Sequence, residues 1–121
     1  MIDPIRAATA IAGAGLDAQS VRLRIISENL ANAQSTGSEP GSEPYQRKTV
    51  TFGSEFDRAL GAASVGVRAI GNDDSAYVVE HDPGNPAADA DGNVKLPNVN
   101  MLVEMADMRE ASRGYEAICR W

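Results

Sequence analysis

Residues 3–33 read DPIRAATAIAGAGLDAQSVRLRIISENLANA, and the reading of this stretch decides the architecture of the 121-residue chain. Asp3 before Pro4 is a helix opening. The Asp side chain can cap the first free amides, and Pro at the first helical position lacks an N–H that would be unpaired anyway. From there a seam runs Ile5, Thr9, Ala12, Leu16, Gln19, Leu23, Ile26, Leu30 and Ala33, with spacing that alternates 4 and 3 throughout. That is the heptad rule for helix-to-helix packing. A second seam, Ile11, Ala14, Ala18, Val21 and Ile25, lies well round the helix from the first. Only the strip at Asp17, Ser20, Arg24, Ser27 and Glu28 is made for water.

A helix apolar on two sides needs neighbours on two sides. Residues 4–33 would form a helix about 45 Å long, more than the rest of this chain can cover twice. Gly13 and Gly15 each cost about 1 kcal/mol relative to Ala inside a helix. The segment is therefore expected to be frayed alone and ordered when packed. By this reading Leu16, Leu23, Ile26 and Leu30 pack within the chain, while Ile11, Ala18, Val21 and Ile25 face another molecule.

Beyond Ala33 the pattern stops. Gly37-Ser38-Glu39-Pro40 is followed at once by Gly41-Ser42-Glu43-Pro44, a tandem repeat whose composition predicts a flexible or extended loop. Residues 45–52 have strand composition. Residues 54–60 read as a short helical turn. Residues 65–70 and 76–81 read as two strands of one hairpin, joined by Gly71-Asn72-Asp73-Asp74-Ser75. Residues 82–86 form a loop, and Asp91-Gly92-Asn93 turns into a short Val94-Lys95-Leu96. Asn98 or Asn100 caps a last helix whose seam is Met101, Met105, Met108, Ser112, Tyr115 and Cys119. Its methionines give an adaptable face, expected to pack against the first helix. The fold class is α+β: two long terminal α-helices packing as a coiled-coil-like pair, with a small β-rich insert containing a hairpin between them. The divisions fall at 1–34, 35–97 and 98–121.

Composition narrows function. With 43% hydrophobic and only 5% aromatic residues, the core must come from aliphatic side chains. A net charge of −6 argues against nucleic acid and anionic membrane, which reward clustered Lys and Arg. No stretch approaches the roughly 20 apolar residues of a membrane span, so no direct membrane insertion is expected. The first residues lack the basic start and apolar run of a secretory signal. Cys119, the single cysteine, cannot form an internal disulfide and is expected to pack as a small apolar group.

No catalytic, cofactor or metal site emerges, and no small-molecule substrate is expected. Gly13-Ala14-Gly15-Leu16-Asp17-Ala18 fits a dinucleotide fingerprint, but the heptad seam passes straight through it with no strand before it. Asp89-Ala90-Asp91-Gly92 resembles part of a calcium loop, yet Ala87 and Asn98 would fall at obligatory ligand positions, so a polar turn is expected. His81 is the only histidine and reads as a strand-end residue. The patch Tyr45-Gln46-Arg47-Lys48 reads either as a contact for an acidic neighbour or as a charged, protected strand edge.

Residues 26–33, Ile-Ser-Glu-Asn-Leu-Ala-Asn-Ala, resemble the Asn-Ile-Ala-Asn-Ala signature of the bacterial flagellar rod, hook and hook-associated axial protein family. Pro44-Tyr45-Gln46-Arg47-Lys48, residues 82–89, residues 94–100 and above all residues 104–117 narrow the resemblance to proximal rod proteins. The resemblance implies a structural subunit of the periplasm-spanning, torque-transmitting rod. It implies export through the flagellar type III apparatus without signal cleavage, with copies of itself and other rod and base proteins as partners. It also implies terminal helices that build an inner tube, and it adds Asn29 and Asn32 to the helix-pairing and assembly residues named above. One departure stands out: Ile118 occupies a position where the family carries Asn, and the last helix is about 20 residues, shorter than its partner. A soluble helical adaptor or secretion partner outside the rod is the competing reading.

Overall fold

The computed structural model describes residues 3–57 and 62–120. In chain order it contains α1 (Pro4–Ala31), β1 (Lys48–Asp57), β2 (Ala62–Asn72), β3 (Val78–His81), β4 (Asn93–Leu96) and α2 (Met101–Cys119). The α1 opening follows from Asp3, whose Oδ1 accepts the Ile5 N–H at 3.0 Å. Asn32 ends the helix: its Nδ2 donates to the Glu28 carbonyl at 2.8 Å, and its backbone N–H reaches the same oxygen at 3.1 Å. Of the two candidate caps for α2, Asn100 serves, its Oδ1 accepting from Leu102 N and Val103 N at 3.0 and 3.4 Å. Such caps satisfy amides that a helix start otherwise leaves open.

The helices run antiparallel. Gly15 faces Ile118, whose Cδ1 would lie 3.1 Å from a Cβ at that glycine, and Gly114 faces Gln19 in the same way. Arg22 pairs with Glu110 at 3.6 Å. This register places the contact line along Gly15, Ala18, Arg22, Ile26 and Asn29, between the two seams read from sequence. Ala18 and Ile25, expected to face another molecule, are 3% and 4% exposed within the chain itself. The β1–β2 hairpin packs on α1 and brings Val50 and Phe52 beside Ile25 and Ile26. Leu16, Leu23 and Leu30 are only half-buried.

The α2 face is also corrected. Glu104 and Ala111 are fully buried and Ile118 reaches Gly15, whereas Met101 and Met105 are about half exposed and do not form the α1 contact. Cys119 is exposed rather than packed.

The insert holds two antiparallel two-stranded sheets, β1 with β2 and β3 with β4. The expected hairpin of residues 65–70 with 76–81 does not form. Asp73 N–H donates to the Arg47 carbonyl at 2.8 Å, prolonging the β1–β2 ladder, and Asp73 Oδ1 then accepts Ser75 N at 2.8 Å and turns the chain away. Val78 therefore pairs with Leu96 and His81 with Asn93. Ser54 lies in a strand opposite Val65 rather than in a helical turn, and residues 58–60 of that expected turn lie outside the described residues. The tandem repeat folds back on itself: Ser42 N bonds Glu39 O at 3.0 Å, and Ser42 fills the space beside Gly37.

Gly92 adopts φ +79°, and a Cβ there would meet His81 Cε1 at 2.9 Å and Pro83 Cγ at 3.1 Å. Gly92→Ala is expected to lower the unfolding free energy by at least about 1–2 kcal/mol, the cost of left-handed backbone for a residue bearing a Cβ. Urea denaturation followed by circular dichroism measures it; an unchanged midpoint contradicts the turn described.

Candidate functional site

A buried polar joint sits where α1, α2 and the start of β1 meet. Asn29, 1% exposed, supplies its α1 member. Its Oδ1 accepts from Lys48 N at 2.9 Å and from the Tyr45 hydroxyl at 2.7 Å. Its Nδ2 donates to Lys48 O at 2.9 Å and to Glu104 Oε2 at 3.4 Å. The side-chain amide thus uses both donors and both acceptor positions. Toward Lys48 it acts as a neighbouring strand would, taking the N–H and the C=O of one residue.

Glu104, fully buried in the first turn of α2, supplies the charge. The positive end of the helix favours a carboxylate there. Arg47 Nε donates to Glu104 Oε1, Arg47 Nη1 donates to Asp73 Oδ2 at 3.1 Å, and Nη2 lies 3.7 Å from Asp107 Oδ2. Asn98 closes the ring, its Oδ1 accepting Arg47 N at 2.8 Å and its Nδ2 donating to the carbonyls of Asp73 and Ser75. Beside the joint, Lys48 Nζ reaches Glu28 at 3.1 Å.

The electrostatics are consistent with this pairing. Burial opposes the charge on Arg47, but hydrogen bonding and attraction from Glu104 and Asp73 outweigh it, and its pKa is raised. Hydrogen bonds from the Ser75 hydroxyl and amide, and then Arg47, hold the Asp73 carboxyl below its usual range. Burial first, then Glu28 and Glu104, raise the Tyr45 hydroxyl, which keeps it a donor to Asn29.

Sequence reading did not find this joint. It read the patch of Arg47 and Lys48 either as a contact for an acidic neighbour or as a charged strand edge, whereas both side chains are paired within the chain. It gave Glu104 no role, because the methionine seam read on the last helix leaves Glu104 off the face turned to α1. Of the expected interface residues, Ala18, Ile25, Ile26 and Asn29 are buried. Ile11, Ala12, Leu16, Val21, Leu23, Leu30, Asn32, Met108 and Tyr115 are half-buried, and Ile5, Met101 and Met105 are exposed. Gly13 and Gly15 lie inside α1, and Asp89 Oδ1 caps the amides of Asp91 and Asn93 in a polar turn. No group of three potential metal ligands occurs among the described residues.

Asn29→Ala leaves the Lys48 N–H and C=O without partners and is expected to cost about 2–4 kcal/mol. Asn29→Asp adds a carboxylate beside Glu104, so its penalty should shrink as pH falls from 7 towards 4.5 and one carboxyl takes up a proton. Urea titrations at both pH values test each variant; a pH-independent penalty contradicts the geometry. Asp73, with a depressed pKa, stabilises the fold fully above the ordinary carboxylate range and loses that contribution as pH falls through its folded value. The stability gap between the natural chain and Asp73→Asn should therefore be flat near neutrality and close below about pH 4.

The same chemistry can be set beside known proteins. The family model described as flagellar basal body rod FlgEFG protein C-terminal matches residues 90–119, which include all of α2. The flagellar basal-body rod protein FlgC of Agrobacterium fabrum is 62% identical over 116 residues, covering 96% of this chain and 84% of that protein. The FlgC proteins of Salmonella typhimurium and Bacillus subtilis are 44% and 35% identical, each over 88% of this chain. The polar joint and the helix pair it locks are therefore features of a rod protein, and this chain belongs to the FlgC family of flagellar basal-body rod proteins.

Proposed function

We propose that this chain, a structural subunit of the flagellar basal-body rod, builds its part of that rod by polymerising through its helix pair. It assembles with other components of the rod and basal body. The finer reading is that copies of the chain pack on one another, that the assembled rod spans the periplasm and transmits torque, and that the role is mechanical rather than catalytic. Delivery through the flagellar type III export apparatus without a cleaved signal belongs to the same proposal. Among the described residues, no helix is long and apolar enough to cross a membrane.

One observation carries the reading. Met101, Leu102, Val103 and Met105 are 48%, 79%, 48% and 56% exposed at the start of α2, and Ile5 is 75% exposed near the start of α1. Four large apolar residues within five positions of one helix are more than a monomer leaves in water without use. Burying such side chains against neighbouring protein contributes about 1.5–3 kcal/mol each. The adaptor reading has no feature of its own in its favour.

Leu102→Asp with Met105→Asp should leave circular dichroism and the thermal midpoint within a few degrees of the natural chain. The variant should nevertheless be excluded from isolated basal bodies and abolish motility. Ile25→Asp, by contrast, should unfold the chain, because Ile25 lies in its own core. A motile Leu102→Asp/Met105→Asp strain would overturn the assignment of this surface to assembly.

A further inference from the structure

The side of α2 turned away from α1 has two parts. Leu102, Met105 and Ala106 are exposed at its start, and Arg109, Arg113 and Arg120 continue the same row, also exposed. Among the described residues these three arginines enter no ion pair. Glu116 shares the row, which stays net positive. A shallow hollow of about 430 Å³ lies along it, lined by Leu102, Met105, Ala106, Arg109, Glu110 and Arg113.

A second surface has the matching layout with the opposite sign. In β3, Val78 and Val79 are 54% and 60% exposed, and the chain runs on through Glu80 and Asp82 into a loop that ends at Asp91, all three acids exposed. Among the described residues, Glu80, Asp82 and Asp91 enter no ion pair. Among the described residues, the β3–β4 hairpin packs against no other helix or strand, and α2 packs only against α1. Neither surface covers the other within one chain. The hairpin leans on the folded-back repeat through Val94 and Ala87 and leaves Val78 and Val79 open. The dimensions agree: Val78 to Asp82, alternate residues of one strand face, spans about 13 Å of extended chain, and Met105 to Arg113 about 12 Å of helix.

We propose that the outer face of α2 seats the β3–β4 hairpin and its acidic loop from a second copy of this chain. Leu102 and Met105 meet Val78, which shares a strand face with Glu80, and Arg109 and Arg113 meet Asp82 and Asp91. The proposal rests on the polymerisation reading above and names the surfaces it uses. A chain of net charge −6 repels its own copies over most of its surface, and this positive row is where the acidic insert of another copy is attracted instead. Because the two surfaces differ, each added copy leaves one of each open, and such a contact propagates rather than closing a dimer.

Charge reversal on the full chain tests this. Arg109→Glu/Arg113→Glu and Asp82→Lys/Asp91→Lys change exposed, unpaired side chains, and circular dichroism confirms that both remain folded. In sedimentation equilibrium at low salt the natural chain should self-associate, and do so less in 0.5 M salt. Each double variant alone should associate about tenfold more weakly or worse. An equimolar mixture of the two should regain association, since each reversed surface then meets its complement. Undiminished association of either variant overturns the proposal. Loss without recovery in the mixture overturns the second copy as occupant and points to another rod component. If Arg109→Glu/Arg113→Glu still enters basal bodies while Leu102→Asp/Met105→Asp does not, this contact fails and the wider assembly reading stands; if both enter, that reading fails too.

Discussion

A carboxylate with no exposure to water constrains everything around it. Taking the Glu104 charge out of solvent costs several kcal/mol unless donors meet it with good geometry. Arg47 and Asn29 are those donors, and they come from different parts of the chain, one from the entry to β1 and one from the last turn of α1. The requirement to satisfy one carboxylate therefore fixes the axial position of α2 on α1. It also fixes where the insert leaves the helix pair. Asp73 then accepts from Arg47 Nη1, Asp107 lies 3.7 Å from Nη2, and Asn98 accepts the Arg47 backbone N–H, so the end of the β1–β2 ladder and the approach to α2 are held at the same residue. Apolar packing alone would let two such helices slide by a turn.

The helix pair shows the corresponding economy of core. Its contact line runs through Gly15, Ala18 and Ala111, small residues that let the backbones approach, and through Arg22 and Asn29, which are polar. The buried apolar set is short and dominated by alanine and valine-sized side chains, with Ile25 and Ile26 the largest. Many of the bulkier aliphatic and methionine residues remain half-buried or exposed on the flanks. This distribution is the reverse of a self-sufficient small domain, which puts its largest apolar side chains in the centre. It suits a subunit whose flanks become interior only in an assembly, and the α2 row of Met101, Leu102 and Met105 is the part of that surface left most open.

The insert follows the same logic at smaller scale. Both of its sheets are two-stranded and each leans on something else: β1–β2 on α1, and β3–β4 on the folded-back repeat, through Gly41 N to Ala87 O at 3.2 Å and Lys95 to Glu43 at 3.3 Å. Val94 and Ala87 are buried on that side while Val78 and Val79 stay open. Acidic residues gather at the far end of this hairpin, whereas Arg109 and Arg113, which enter no ion pair among the described residues, line the outer row of α2.

The residue order by itself determined the two helices and where each opens, because capping and periodicity are local: Asp3-Pro4, the alternating apolar seam and the choice of Asn98 or Asn100 need no distant partner to be read. It determined the loop position of the Gly-Ser-Glu-Pro repeat and the existence of strands between the helices, and its motifs carried the family. Only the tertiary structure decided which face of α1 is inside. The true line falls between two apolar seams, on Gly15, Arg22 and Asn29, and no periodicity of hydrophobic residues marks a face built from a glycine and two polar side chains. Strand partners were likewise decided in three dimensions, since the Asp73–Arg47 and Asp73–Ser75 bonds that steer β2 towards β1 join residues 26 apart as well as neighbours. The polar joint was invisible for the same reason: a buried carboxylate is tolerable only beside its donors, and which donors arrive is a property of the folded chain.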